Sequence, residues 1–238
     1  AEDVREVARQ YKENDLPLDM ICMDIEYMQD YADFTVNKER FPDLTKLSAD
    51  LKAQGIRLVP IIDAGVRVDP NDSTCTEGLE KGYFCKKADG TPFVAAVWPG
   101  KAYFADFLRP EVRDWFGHRY KVLTDCGMEG FWNDMNEPAL FYSPERLRAF
   151  LDSMAQLRGQ DNIEQEEFFG KVVGGAMGLM NSPADYASFY HDLAGQQVRH
   201  DRVHNLYGGS MTRAAGEAFA DLRPGRRTLP VSYTHLTL

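Results

Sequence analysis

Positive charge is scarce in this 238-residue sequence. Lys and Arg total 27 against 37 Asp and Glu, a formal net charge of −10. A nucleic-acid binder would want a basic patch, so no nucleic-acid partner is expected. Long apolar runs are missing too. No stretch reaches the roughly 18 consecutive apolar residues of a membrane-spanning helix, and no membrane role is expected. Cysteine is sparse and scattered at Cys22, Cys75, Cys85 and Cys126, with no C-x-x-C pair. That argues against a zinc site and against a disulfide framework, and it fits a reducing, cytoplasmic compartment. No Walker loop, G-x-S-x-G elbow or H-E-x-x-H helix is present. The opening AEDVREVARQYKEN is charged and amphipathic, unlike a signal peptide.

What is present is an ordinary globular composition, 44% hydrophobic and 27% charged. The periodicity alternates between helix and strand. Val4, Val7, Ala8 and Tyr11 fall at helical spacing, and Leu44, Leu47 and Leu51 mark a second helix stopped by Gly55. Pro110 opens a third, with a stripe of Val112, Trp115, Phe116, Tyr120 and Leu123. Ser143-Pro144 and Ser182-Pro183 read as capped helix starts, and Met211, Ala214, Ala215, Ala218, Phe219 and Leu222 belong to a last long helix. Between them lie apolar runs that suit buried parallel strands: Leu18 to Ile25, Ile56 to Asp63 and Glu129 to Asp134, with a further candidate from Arg227 to about Val231. The fold class is α/β. Three consecutive strands ending in a carboxylate point to a (β/α)₈ barrel, whose chemistry sits at the C-terminal strand ends. Four strands are about half of one, roughly the second to fifth.

The segment GFWNDMNEP, Gly130 to Pro138, carries the sharpest chemistry. Side chains alternate along a strand, so Trp132 and Asp134 share one face. An aromatic ring can pack on the apolar face of a pyranose. A carboxylate beside it can attack an anomeric carbon or stabilise an oxocarbenium-like charge. A capping role for Asp134 is the plain alternative. In CMDIEYM, Asp24 and Glu26 are read as sharing a face with Cys22. Such carboxylates can grip sugar hydroxyls, or simply pair with a nearby cation. In IIDAG, Asp63 ends a strand, and a turn-forming role is its plain alternative. Trp98 of AVWPG reads as a stacking wall or a core tryptophan. His200 and His204 have a metal-compatible spacing. Neither a helical phase nor a third ligand is evident for them, so no metal is expected. Glu164, Glu166 and Glu167 read as a solvated face.

These blocks together resemble glycoside hydrolase family 31, the retaining α-glucosidases and α-xylosidases. GFWNDMNEP looks like that family's nucleophile signature, and MDIEYM with DYADFT like its glycone-binding strand. IIDAG, AVWPG and VHNLYG follow in the family's order. Parts of the chain look similar to bacterial α-glucosidases of gut Firmicutes. The resemblance implies Asp134 as catalytic nucleophile and Asp24 and Asp63 as ligands of sugar hydroxyls. It implies Ile25, Trp98, Trp132 and Met135 as pocket lining. It also implies a (β/α)₈ fold, an α-glucoside oligosaccharide substrate, and neither metal nor organic cofactor. Glu26 stands where many members have Asp.

One expected block does not occur. The family's acid/base aspartate lies in W-x-G-D-N, preceded by R-S-x-[YF], and neither is found. Residues 1–230 therefore read as a partial catalytic barrel, expected to be inactive alone. Residues 231–238 read as a non-native, adapter-derived tail. Other readings on the same residues are an α-xylosidase, an α-galactosidase, a transglycosylase or a non-catalytic carbohydrate-binding protein.

Overall fold

The computed structural model describes residues 1–160 and 162–232. In chain order these form helix α1 (Glu2–Glu13), strand β1 (Met20–Met23), helix α2 (Leu44–Lys52), strands β2 (Arg57–Ile62) and β3 (Gly65–Arg67), helix α3 (Ser73–Glu80), strands β4 (Lys86–Lys87), β5 (Val94–Val97) and β6 (Gly100–Phe104), helix α4 (Pro110–Arg119), strand β7 (Gly130–Asn133), helix α5 (Pro144–Ala155), strands β8 (Phe189–Leu193) and β9 (Gln196–Arg199), helix α6 (His200–Leu222) and strand β10 (Leu229–Ser232). The chain divides into two compact units. The first holds residues 1–64, 107–136 and 206–238, and the second holds 65–106 and 137–205.

The first unit contains a sheet in the order β1-β2-β7-β10, with every pair parallel. The run RLVPII makes β2 central because all of it except Arg57 is buried. Pro60 lacks a donor, and it falls where pairing to β1 ends and pairing to β7 has not begun. Helices cover one face. Tyr120, at the end of α4, lies edge-on to Phe131 at 5.0 Å, and Phe219 of α6 stacks on the same ring at 5.1 Å. Such pairs contribute about 0.5–1.5 kcal/mol each beyond their burial. The two helices approach closely at Gly117. A β-carbon there would lie 2.3 Å from the Ala214 carbonyl oxygen and 2.7 Å from the Ala218 β-carbon.

At the start of β7, Glu129 gathers three cations. Its Oε1 accepts from Lys52 Nζ at 2.6 Å and from Arg223 Nη2 at 3.0 Å, and its Oε2 from Arg57 Nε at 2.9 Å. These ties join the ends of α2 and α6 to the starts of β2 and β7. The hydrogen bond from Lys52 is the chief reason that the Glu129 carboxyl is held below its ordinary range.

One expectation for this unit needs correction. The run at β1 is not a buried strand, since only Met23 is buried and Met20 is 46% exposed. Among the described residues it pairs with β2 alone, at the edge of the sheet. The first helix forms where expected and buries Ala8, with Val7 and Tyr11 exposed. At the other end, Leu229–Ser232 pairs along the whole of β7, so Val231 and Ser232 lie in the sheet. The rest of the proposed tail, residues 233–238, lies outside the described residues.

The second unit is built from the two segments that follow β2 and β7. It contains antiparallel sheets in the orders β3-β6-β5 and β4-β8-β9. Phe93 and Phe189 stack at 4.2 Å in its core. The capping serine expected before α5 is present, with Ser143 Oγ accepting from the Arg146 N–H. At Ser182 only a short helix, Pro183–Tyr186, follows, without a side-chain cap. The six short strands described in this unit did not register in the sequence.

Candidate active site

Three carboxylates stand at the C-terminal ends of adjacent parallel strands in the first unit. Residues paired in register on parallel strands point to the same side of a sheet. Ile61 pairs with Trp132 and Ile62 with Asn133. The Asp134 N–H donates to the Ile62 carbonyl at 3.0 Å, which carries the pairing one residue further and sets Asp134 opposite Asp63. Met23 pairs with Pro60, so Asp24 falls level with Ile61 and hence with Trp132. Asp24, Asp63, Trp132 and Asp134 therefore share one face. Ile62, Phe131 and Asn133 occupy the other, fully buried beneath the helices. The expectation that Trp132 and Asp134 share a face holds. The expectation for Glu26 does not, because the chain leaves the strand at Asp24 and makes a 3₁₀ turn over Ile25–Tyr27.

Each carboxylate is set by a local device. Asp24 Oδ1 accepts from the Ile25 N–H at 2.8 Å and so caps the turn. Ile25 itself is buried. Tyr27 reaches across to β2, its hydroxyl donating to the Ile61 carbonyl at 2.7 Å. Burial above all pushes the Tyr27 phenol far above its ordinary range, so it remains a donor. Asp63 is buried, and its N–H donates to Asp33 Oδ1 at 2.9 Å. Asp33 belongs to the quoted DYADFT block, where no local pattern marks it as a partner of Asp63. Beyond Asp134 the chain turns sharply. Met135 has φ +52°, in the left-handed region that side-chain-bearing residues avoid. Asn136 is buried after it.

Trp98 belongs to the second unit. It sits at the tip of the hairpin joining β5 and β6, 49% exposed and edge-on to Phe141 at 5.0 Å. It is therefore not a core tryptophan.

The second unit also holds a hydrogen-bonded run of side chains that the sequence did not reveal. Asp106 Oδ1 lies 2.7 Å from His191 Nδ1, His191 Nε2 lies 2.9 Å from His200 Nδ1, and His200 Nε2 lies 2.9 Å from His204 Nδ1. His200 and His204 are both on α6, so the helical phase that their neighbours failed to announce is real. Asp106 also accepts from the Asp192 N–H at 2.7 Å. Cys85 Sγ lies 3.5 Å from the same His191 Nδ1. Among the described residues, Cys85, Asp106 and His191 form a group of donors that could hold a metal ion. The 2.7 Å contact is a hydrogen-bond length, shorter than ligand atoms sharing one ion would adopt, and the set has three donors where a structural zinc takes four. Burial first, then the neighbouring His191 and His204, lowers the His200 pKa to about 3. The run therefore stays uncharged at His200 throughout the neutral range.

Comparison with known proteins places this arrangement in context. The sequence profile of the glycosyl hydrolases family 31 TIM-barrel domain matches residues 1–234. The "Alpha-glucosidase 2" of Bacillus thermoamyloliquefaciens is 37% identical over 226 residues, 95% of this chain and 24% of that protein. An alpha-glucosidase of Saccharolobus solfataricus is 33% identical over 187 residues, 79% of this chain and 24% of that protein. Among solved structures, a glucosidase II alpha subunit superposes with a TM-score of 0.74 at 28% identity, covering 97% of this chain and 21% of that one. The chain thus spans about a quarter of the length of the curated relatives it matches.

Proposed function

The chain belongs to glycoside hydrolase family 31, and from that premise we propose that it carries the nucleophile half of a retaining α-glucosidase site. One observation carries the reading: Asp24, Asp63 and Asp134 share one sheet face at the C-terminal ends of three adjacent parallel strands. The α-glucosidase names of the relatives support the sugar class.

In this reading Asp134 attacks the anomeric carbon of a terminal α-linked glucose. A bond forms between its carboxylate and that carbon as the bond to the leaving oxygen breaks. A proton goes to the leaving oxygen from a second carboxyl about 5–5.5 Å away, which then activates water for the return displacement. The W-x-G-D-N block that would hold that carboxyl does not occur in the sequence, so none of the 238 residues is nominated for it. Asp24 and Asp63 hold sugar hydroxyls through charge-assisted hydrogen bonds. Trp132 lies on the same face as Asp134, where an indole packs on a pyranose, and Ile25 directly follows Asp24 as Met135 follows Asp134. Trp98, exposed on its hairpin, offers a second stacking surface of the same kind. A positioned proton donor typically contributes about 10²–10⁴-fold, and turnover of ordinary glucosides by these residues alone is expected to be negligible.

The test is covalent trapping with 5-fluoro-α-D-glucosyl fluoride, whose fluoride leaves with little help from an acid. The expected result is one glucosyl adduct on the peptide carrying Asp134, and none on Asp134→Asn. An adduct that persists in Asp134→Asn overturns the assignment.

A further inference from the structure

The three residues after β7 are held at both ends and strained in the middle. Asp134 is tied to β2 by its N–H on the Ile62 carbonyl at 3.0 Å. Met135, at φ +52°, sits in a conformation that costs a residue of its kind about 1–3 kcal/mol and persists only where the surroundings over-determine it. Asn136, buried, rests against α6 at Gly208. A β-carbon on Gly208 would lie 2.8 Å from the Asn136 carbonyl oxygen, 3.2 Å from its Oδ1 and 3.3 Å from its Cγ. Under 3.0 Å from a main-chain atom, something must move. The neighbouring Gly209 has nothing within 4 Å of that position. The helix cannot easily yield, because Tyr207 is fully buried with its ring 5.1 Å from Phe107, and Ala214 meets Gly117 one face further on.

We infer that Gly208 and Asn136 form a positioning contact through which α6 fixes the aim of the Asp134 carboxylate; this rests on the reading of Asp134 as nucleophile. The contact also gives a physical reason for two blocks far apart in sequence, GFWNDMNEP and VHNLYG, to occur together. The last residue of one must be small because it touches the turn of the other. A displacement of about 1 Å in a reacting group can cost on the order of 10²-fold in rate. Gly208 has no side chain and meets Asn136, so its effect is expected on the chemical step rather than on binding.

The experiment measures KI and kinact for the same fluoride on the wild type and on Gly208→Ala and Gly209→Ala, with thermal melts alongside. Alanine improves helix propensity equally at both positions, by up to about 1 kcal/mol. A purely structural role for helix stiffness would therefore move both alike. The expected result is a fall in kinact on the order of 10²-fold for Gly208→Ala with KI unchanged, and wild-type values for Gly209→Ala. If Gly208→Ala does not fold, then, with Ser232→Ala as control for the hydrogen bond that Asn136 Nδ2 donates to Ser232 Oγ at 2.9 Å, Asn136→Ala decides the matter, since it removes the Oδ1 and Cγ contacts without adding bulk. It is expected to lower kinact and spare KI. Equal kinact in wild type and Gly208→Ala, or in wild type and Asn136→Ala where that variant decides, overturns the inference. So does a loss confined to KI. A wild-type chain that labels elsewhere, or not at all, overturns the reading of Asp134 itself and takes this inference with it.

Discussion

Replacing His200 with glutamine is expected to flatten the acid sensitivity of the second unit. The imidazole is fully buried between His191 and His204, stacked on Phe189 at 4.5 Å, and its pKa falls from the ordinary 6.5 to about 3. Burial is the first cause, and the Asp201 charge opposes it weakly. The unfolded chain takes up a proton near pH 6.5 that the folded unit refuses until about 3. Stability from this group is therefore complete above 6.5 and declines as the pH falls toward 3. One proton costs about 1.4 kcal/mol per pH unit, so by about pH 5 the loss is about 2 kcal/mol, or about 30-fold in the opening equilibrium. Cys85 reports that opening, because it is buried and in contact with His191. Its labelling by a disulfide reagent active in acid, divided by the rate in the unfolded chain at each pH, gives the opening constant. Glutamine can still donate and accept but does not titrate. Asp106, His191, His204, Asp201 and Glu137 remain in both proteins, so comparing the pH slopes isolates residue 200. The same slope in wild type and His200→Gln would refute the reasoning.

Two further outcomes concern the first unit. Glu129→Gln is expected to lower its stability by about 1–3 kcal/mol at neutral pH, measured by urea unfolding, because three cations lose their shared carboxylate. The Glu129 pKa is lowered, so its contribution is present above the ordinary carboxylate range and lost as the pH falls through the lowered value. The variant should accordingly show a shallower acid limb, and an unchanged limb would count against the network. Gly117→Ala is expected to destabilise by about 1–3 kcal/mol despite alanine's better helix propensity, since its methyl meets the Ala214 carbonyl oxygen. A raised urea midpoint would show that the helices can part at no cost.

Much of the parallel framework was legible because its signals are local. β2 and β7 are short apolar runs bounded by turn residues, and α4 announces itself with Pro110 and a repeating apolar stripe. The three carboxylates were legible because each directly follows such a run. Other features depend on what lies alongside. LDMICMDI has the composition of a buried strand, yet β1 is largely exposed, since burial is decided by neighbours and not by the strand itself. The first two turns of α6 were hidden by His200, Asp201 and Arg202, whose polarity masks a helical phase fixed by the histidine run. The strands of the second unit are too short, at two to five residues, for alternation to stand out. Asp33 and Gly208 matter only through partners distant in sequence, so no local pattern marks them.

The shared face of Asp24, Asp63 and Asp134 limits which changes of length the chain can tolerate. Side chains in a strand alternate with a period of two, so one residue inserted or deleted within β2 or β7 would swing its terminal carboxylate to the helix-covered side. A change of two would restore the facing at the cost of height. The segments leaving just after Asp63 and Asn136 carry no such parity rule, and whole sheets are inserted there. Lineages built on this framework should therefore vary freely in length after those carboxylates and hardly at all in the few residues before them.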